Sequence, residues 1–133
     1  MPKSTTTAND TLDAFLRAVD PAWRAGATRY IALHTADPAN AGTQLTSEAT
    51  YTSYARVAVT AATGFTSAAA GSSSNTGLIQ FPGSTNVITH VTIGTAASGA
   101  GQIIYRGSLN ASLSVANLIQ PQFSIGSLTA SES

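Results

Sequence analysis

Arg56-Val57-Ala58-Val59-Thr60 is the run whose reading decides the fold class. Apolar residues recur at every second position, the period of a strand with one face on a core, so Val57 and Val59 point inward while Arg56 and Thr60 point outward. His90-Val91-Thr92-Ile93 repeats the pattern, with Val91 and Ile93 inward and His90 and Thr92 outward. From these two runs the same texture extends over everything after Arg29: short β-prone segments separated by clusters of Gly, Pro, Asn and Ser. Strands are predicted over 30–35, 54–60, 78–81, 87–93, 102–108 and 119–125, with shorter pieces around Phe65 and Leu113. No ten-residue helical period follows, so the crossover helices of a parallel sheet are missing. The expectation is a mainly-β fold, a jelly-roll-like or Ig-like β-sandwich with a short N-terminal helix and arm.

The N-terminal part reads differently. Residues 4–8 form a polar arm without periodicity, a candidate tether whose loss should leave the strands folded. Leu12, Phe15, Leu16 and Val19 then fall at i, i+3, i+4 and i+7, with Asn9 or Asp10 as N-cap and Asp13 in the first turn, which predicts one amphipathic helix. Asp20-Pro21 starts one more turn over 22–25, closed by Gly26, and Trp23 is expected to anchor it to the main core. The chain divides into an arm and helix over 1–28 and a β-domain over 29–133. Two long loops, 37–50 and 68–75, are expected to be mobile unless a neighbour orders them.

The 133 residues carry six basic and six acidic groups, a formal net charge of zero, and no cysteine. Absent cysteine removes a disulfide scaffold, a thiolate zinc site and a cysteine nucleophile. A neutral chain has no excess cations to release counterions from phosphate, which argues against nucleic acid as a partner. No run approaches the roughly 20 apolar residues of a membrane-crossing helix, and Met1-Pro2-Lys3 leads into hydroxyl residues rather than an apolar leader, so synthesis in a cytoplasm is expected. Charged residues make up only 9% against 43% hydrophobic, where ordinary domains carry about 25% charged. After Arg56 only Arg106 and Glu132 are charged. A surface of hydroxyls and backbone loses little hydration when covered, which suits a subunit of an assembly.

Catalytic chemistry has little to work with. His34 and His90 both lie in predicted strands, and neither H-x-H nor H-E-x-x-H spacing prepares a metal site with Asp37. No G-x-S-x-G elbow marks a nucleophile. Asp10, Asp13 and Asp20 are helix surface or capping groups, Asp37 precedes a proline in a turn, and Glu48 is isolated, so no carboxylate pair flanks a cleft. Gly99 and Gly101 read as a hairpin turn, not a phosphate cradle. No catalytic, cofactor or metal residue is assigned, and the chain is not read as an enzyme. Arg56 has the planar donors to clamp carbonyls or a carboxylate, with Asp37 as one candidate partner. With Lys3, Arg17, Trp23 and Arg24 it makes up the set of candidate interaction residues.

Tyr30-Ile31-Ala32-Leu33-His34-Thr35-Ala36-Asp37-Pro38, Tyr54-Ala55-Arg56-Val57, Ile79-Gln80-Phe81-Pro82, the 88–94 run and Gly101-Gln102-Ile103-Ile104-Tyr105-Arg106-Gly107-Ser108-Leu109 resemble, in order and spacing, small virion proteins of tailed bacteriophages. Members are often labelled tail-fibre-like. The resemblance covers about three quarters of the chain and implies a non-enzymatic virion subunit, with the N-terminal arm and helix departing from the pattern by greater length and charge. Together these readings lead to a capsid cement or decoration protein that bridges major capsid subunits by non-covalent contacts. The alternative is a tail, baseplate or adaptor subunit, tail-fibre-like or receptor-binding. Expected partners are the major capsid protein or tail and connector proteins, with homo-oligomerisation, and no nucleic acid, membrane or cofactor. A sugar-binding module is disfavoured because most aromatics are placed like core residues.

Overall fold

The alternating runs form an antiparallel sheet in a computed structural model that describes residues 1–83, 86–115 and 120–132. Strands β1 (Thr28–His34), β2 (Val57–Thr60), β5 (Asn86–Gly94) and β6 (Ile103–Val115) lie in the order β2-β1-β5-β6. Ile31 stands opposite Val57 on one side and Ile93 on the other, and Ile93 stands opposite Tyr105, so one face of the sheet carries the inward set that the period of two predicts. Two short ribbons share the core with that face: β3 (Ser72–Ser74) with β8 (Thr129–Ser131), and β4 (Ile79–Gln80) with β7 (Gln122–Phe123). Ile31, Leu33, Ile79, Phe81, Ile88, Val91 and Leu128 make one buried cluster across these layers. Full burial of each such side chain contributes about 1.5–3 kcal/mol. The fold is therefore mainly β, with sandwich-like packing in which the second layer is built from ribbons, and one helix precedes it.

Several sequence expectations shift. Thr92, placed outward by alternation, is fully buried. The chain between β1 and β2 lies over that second face: Glu48 bridges to His34, and the Gln44 amide donates to the Tyr30 carbonyl at 3.0 Å. Gly94 and Gly101 leave room for Gln44, since a Cβ at either would sit within 2.3 Å of its side chain. The 68–75 loop contains β3, because Ala70 and Gly71 both adopt positive φ and close a two-residue hairpin between Ala69 and Ser72. The last predicted strand, 119–125, survives only as Gln122–Phe123, and its first residue lies outside the described residues. The pieces around Phe65 and Leu113 appear as a bridge from Phe65 to Asn75 and as part of β6.

Helix α1 spans Thr5–Arg17 and is capped by Ser4, whose Oγ accepts from the Thr7 amide at 3.2 Å. The cap is thus five or six residues earlier than Asn9 or Asp10. Hydroxyls explain the difference: Ser4 and Thr7, 3% and 1% exposed, each donate to the Ile103 carbonyl at 2.6 Å. Tertiary bonds to the end of β6 outweigh the weak helix propensity of the Ser-Thr-Thr-Thr run. Ahead of the helix, Pro2 accepts from the Arg106 amide at 2.9 Å, Met1 donates to the Ser131 carbonyl, and Lys3 pairs with Glu132. The arm is an edge cover for β6 rather than a free tether.

Candidate functional site

Arg56 is the candidate whose geometry is most explicit. Its Nε and Nη2 fork onto Glu48 at 2.6 and 2.9 Å, while Nη1 donates to the Ala96 carbonyl at 2.9 Å and Nη2 to the Gly99 carbonyl at 2.6 Å. The fork expected from sequence is present, but its carboxylate is Glu48, not Asp37, which pairs with Arg106. Tyr54 completes the group by donating to Glu48 at 2.7 Å and accepting from the Leu33 amide. Burial, reinforced by Glu48, pushes the Tyr54 phenol far above its usual range. With a side chain only 2% exposed, Arg56 ties the 37–50 segment to the β5–β6 hairpin.

His34 is equally internal. Its Nδ1 lies 2.9 Å from the Thr46 carbonyl and its Nε2 2.8 Å from Thr92 Oγ1, a pairing that suits the neutral ring with Nδ1–H donating. Burial lowers its pKa, against the opposing hydrogen bond to Thr46. Among the described residues no cluster of His, Asp and Glu could hold a metal, and no helix is long and apolar enough to cross a membrane.

The remaining candidates lie at the N-terminal face, and here the helix is inverted. Thr7, Asp10, Thr11 and Ala14 face the body, at the same i, i+3, i+4, i+7 spacing that sequence reading gave to the apolar set. Gln102 Nε2 donates to Thr7 Oγ1 and to Asp10 Oδ2, both at 2.9 Å, and the Trp23 indole donates to Asp10 at 2.8 Å. Leu12, Phe15 and Leu16 consequently point outward, 56%, 81% and 78% exposed, while Val19, expected in the same set, lies past the helix end after Ala18 at positive φ and is 48% exposed. The charged candidates beside them are already paired within the chain, Arg17 with Asp13 and Arg24 with Asp20.

Trp23 does not enter the main core as expected. It is half-buried, with the Arg29 guanidinium 5.5 Å above its ring centroid, in a 3-10 turn over Ala22–Ala25. One side of the indole borders a groove shared with Phe15 and Pro21. The other borders a cleft of about 290 Å³ lined by Trp23, Phe65, Ile93, Ile104, Tyr105 and Ala130, with Arg29 and Glu132 at its rim. Aromatics scattered in sequence thus meet at one place. Burial and the neighbouring Glu132 push the Tyr105 phenol up to about 12. Burial opposes ionisation of Glu132, yet hydrogen bonds from Lys3 and Tyr105 hold its carboxyl below the usual range.

An outward apolar stripe thus lies beside an apolar cleft, with Trp23 between them. The chain matches a family model described as podophage GP4 fiber I protein gp80 over residues 2–131. It belongs to this family. It is accordingly a structural component of a phage virion, and the matched residues include the arm and helix. No curated protein matches the chain. Sequence reasoning missed Leu12, Phe15, Leu16 and Val19 as surface. The available signal was the hydroxyl and carboxylate stripe Thr7, Asp10 and Thr11, which needs polar partners as much as the leucines need apolar ones.

Proposed function

We propose that this fibre-family protein is a non-enzymatic subunit of the phage tail-fibre apparatus, attached to neighbouring tail components through the exposed stripe of α1. The family match, which spans nearly the whole chain, supports the tail alternative better than the capsid-cement reading. The stripe supports attachment by burial: Leu12, Phe15 and Leu16 at helical spacing, with Val19 just past the helix end, stay in water unless another surface covers them. Ion-paired neighbours and a hydroxyl-rich β half leave little hydration to be lost on contact. Gold-labelled antibody against this protein, viewed on intact particles by electron microscopy, tests the reading. Label confined to the tail, with a tail-sized copy number per particle, is the expected result. Label spread over the shell at hundreds of copies would restore the cement reading and overturn this one.

A further inference from the structure

We infer that the cleft beside Trp23 is a binding site for a small free carboxylic acid, whose apolar body lies against Phe65, Ile93, Ile104 and Ala130 and whose carboxylate lies on Arg29. The site is separate from the attachment role of α1 and uses none of its apolar stripe.

Charge pairing selects the anion. Five of the six lysine and arginine side chains have a carboxylate partner: Lys3 with Glu132, Arg17 with Asp13, Arg24 with Asp20, Arg56 with Glu48 and Arg106 with Asp37. Arg29, which lines the cleft, has none among the described residues. Its Nη1 donates to the Gly26 and Thr28 carbonyls and its Nη2 to the Arg24 carbonyl, which uses three of the five N–H donors of a guanidinium. The Nε–H and one Nη2–H are left, on the same two atoms with which Arg56 forks onto Glu48. Stacking 5.5 Å from the Trp23 ring centroid holds the guanidinium at the cleft.

An occupant of the cleft strips water from this cation. Burial already lowers the Arg29 pKa, and a neutral apolar ligand would add desolvation with nothing to offset it. A carboxylate balances the charge and accepts from the two remaining donors. Glu132, also at the rim, does not oppose it, because Lys3 and Tyr105 donate to Glu132 and the Met1 ammonium adds to its field. Asp10 lines the groove on the other side of the indole and accepts from Trp23 and Gln102.

The walls decide the rest of the ligand. Phe65, Ile93, Ile104 and Ala130 offer no side-chain hydrogen bond to a sugar hydroxyl or a peptide amide, and a bare phosphate would leave them in water. A volume of about 290 Å³ lies at the small end for an organic ligand, roughly 300–1,000 Å³, and suits one ring or a branched aliphatic group with its acid.

Trp23 is the only tryptophan and borders the cleft, so its fluorescence reads the site. Titration of the full-length chain with 3-phenylpropionate at neutral pH should give a saturable change with a Kd at or below about 1 mM. The methyl ester keeps the ring and loses the charge, and should bind at least about tenfold more weakly to the same wild-type protein. Arg29→Gln should impose that loss on the acid while leaving the ester unchanged, a pattern that general damage to the fold would not give. Ala68→Phe, which fills the cleft at an exposed lining residue, should weaken both. Absence of a saturable change with the acid overturns the site, and an ester that binds as tightly as the acid overturns the role of Arg29. The dipeptide alanyl-phenylalanine binding at least about tenfold more tightly than 3-phenylpropionate would assign the cleft to the end of a polypeptide chain and overturn a free acid as its occupant. The tail location is read separately, by the label on intact particles.

Discussion

Arg56 shows what a single side chain contributes here. Its fork to Glu48 is buried, and two carbonyls use the remaining donors. Lysine keeps the charge but loses the planar geometry, so Arg56→Lys is expected to cost about 2–4 kcal/mol, read as a fall in Tm with particle binding unchanged by the protein that remains folded. The fork was legible in the sequence, since only arginine offers those donors. Its partner was not, because Glu48 and Asp37 both lie in one long loop and only the path of that loop separates them. His34 carries a second prediction. Burial lowers its pKa in the folded chain below the unfolded value of about 6.5, so the unfolded state takes up the proton first. Its contribution is complete above about pH 6.5 and is lost as pH falls below that toward the folded pKa. Asp37, held down first by its bond from the Ala39 amide, and Glu132, held down despite burial by Lys3 and Tyr105, add a later loss below about pH 4. Urea titrations should show stability falling in two acid steps, and His34→Gln should flatten the first. A first step retained in that variant would assign it to another group.

At the level of elements, the N-terminal segment acts as part of the sheet. The Ser4 and Thr7 hydroxyls, the Pro2 carbonyl and Met1, which packs against Gly107 and the core cluster, together cover the free edge of β6. Deleting residues 1–8 is therefore expected to lower Tm sharply and to speed hydrogen exchange at Arg106, contrary to the tether that the polar composition suggests. Thr7→Val, which keeps shape but leaves the Ile103 carbonyl with one donor fewer, should cost about 1–2 kcal/mol. Unchanged exchange at Arg106 after the deletion would show that the arm adds no cover. Periodicity showed that one helix precedes the strands, but neither where it starts and ends nor how it is turned. A helix with one apolar and one hydroxyl stripe has two faces able to dock, and the choice depends on the Ile103 carbonyl and the Gln102 amide, which lie some 95 residues away in the chain. The strands with large alternating residues were legible, whereas β3, three serines long, was not, because its pairing comes from the positive-φ turn at Ala70 and Gly71 and from β8.

For the whole molecule the distribution of charge and apolar surface decides how it is held. A contact through the β half, with only two charges after Arg56, would resist salt, and one through the cations of the N-terminal segment would not. The structure separates location from chemistry: the exposed stripe is on the N-terminal segment, yet its prominent residues are Leu12, Phe15, Leu16 and Val19. Lys3, Arg17 and Arg24, the cations that would respond to screening, are paired with Glu132, Asp13 and Asp20 of the same chain. Exposed pairs of this kind contribute about 0–1 kcal/mol, and what salt removes from them is lost in the free and the attached state alike. Apolar burial is barely screened, and strongly hydrated salts strengthen it. Occupancy on purified particles is therefore expected to stay constant from about 0.05 to about 0.5 M sodium chloride and to fall when Phe15 or Leu16 is replaced by glutamate. Release by sodium chloride alone would mean that the intrachain pairs open on docking and that Arg17 or Arg24 reaches a carboxylate on the neighbour.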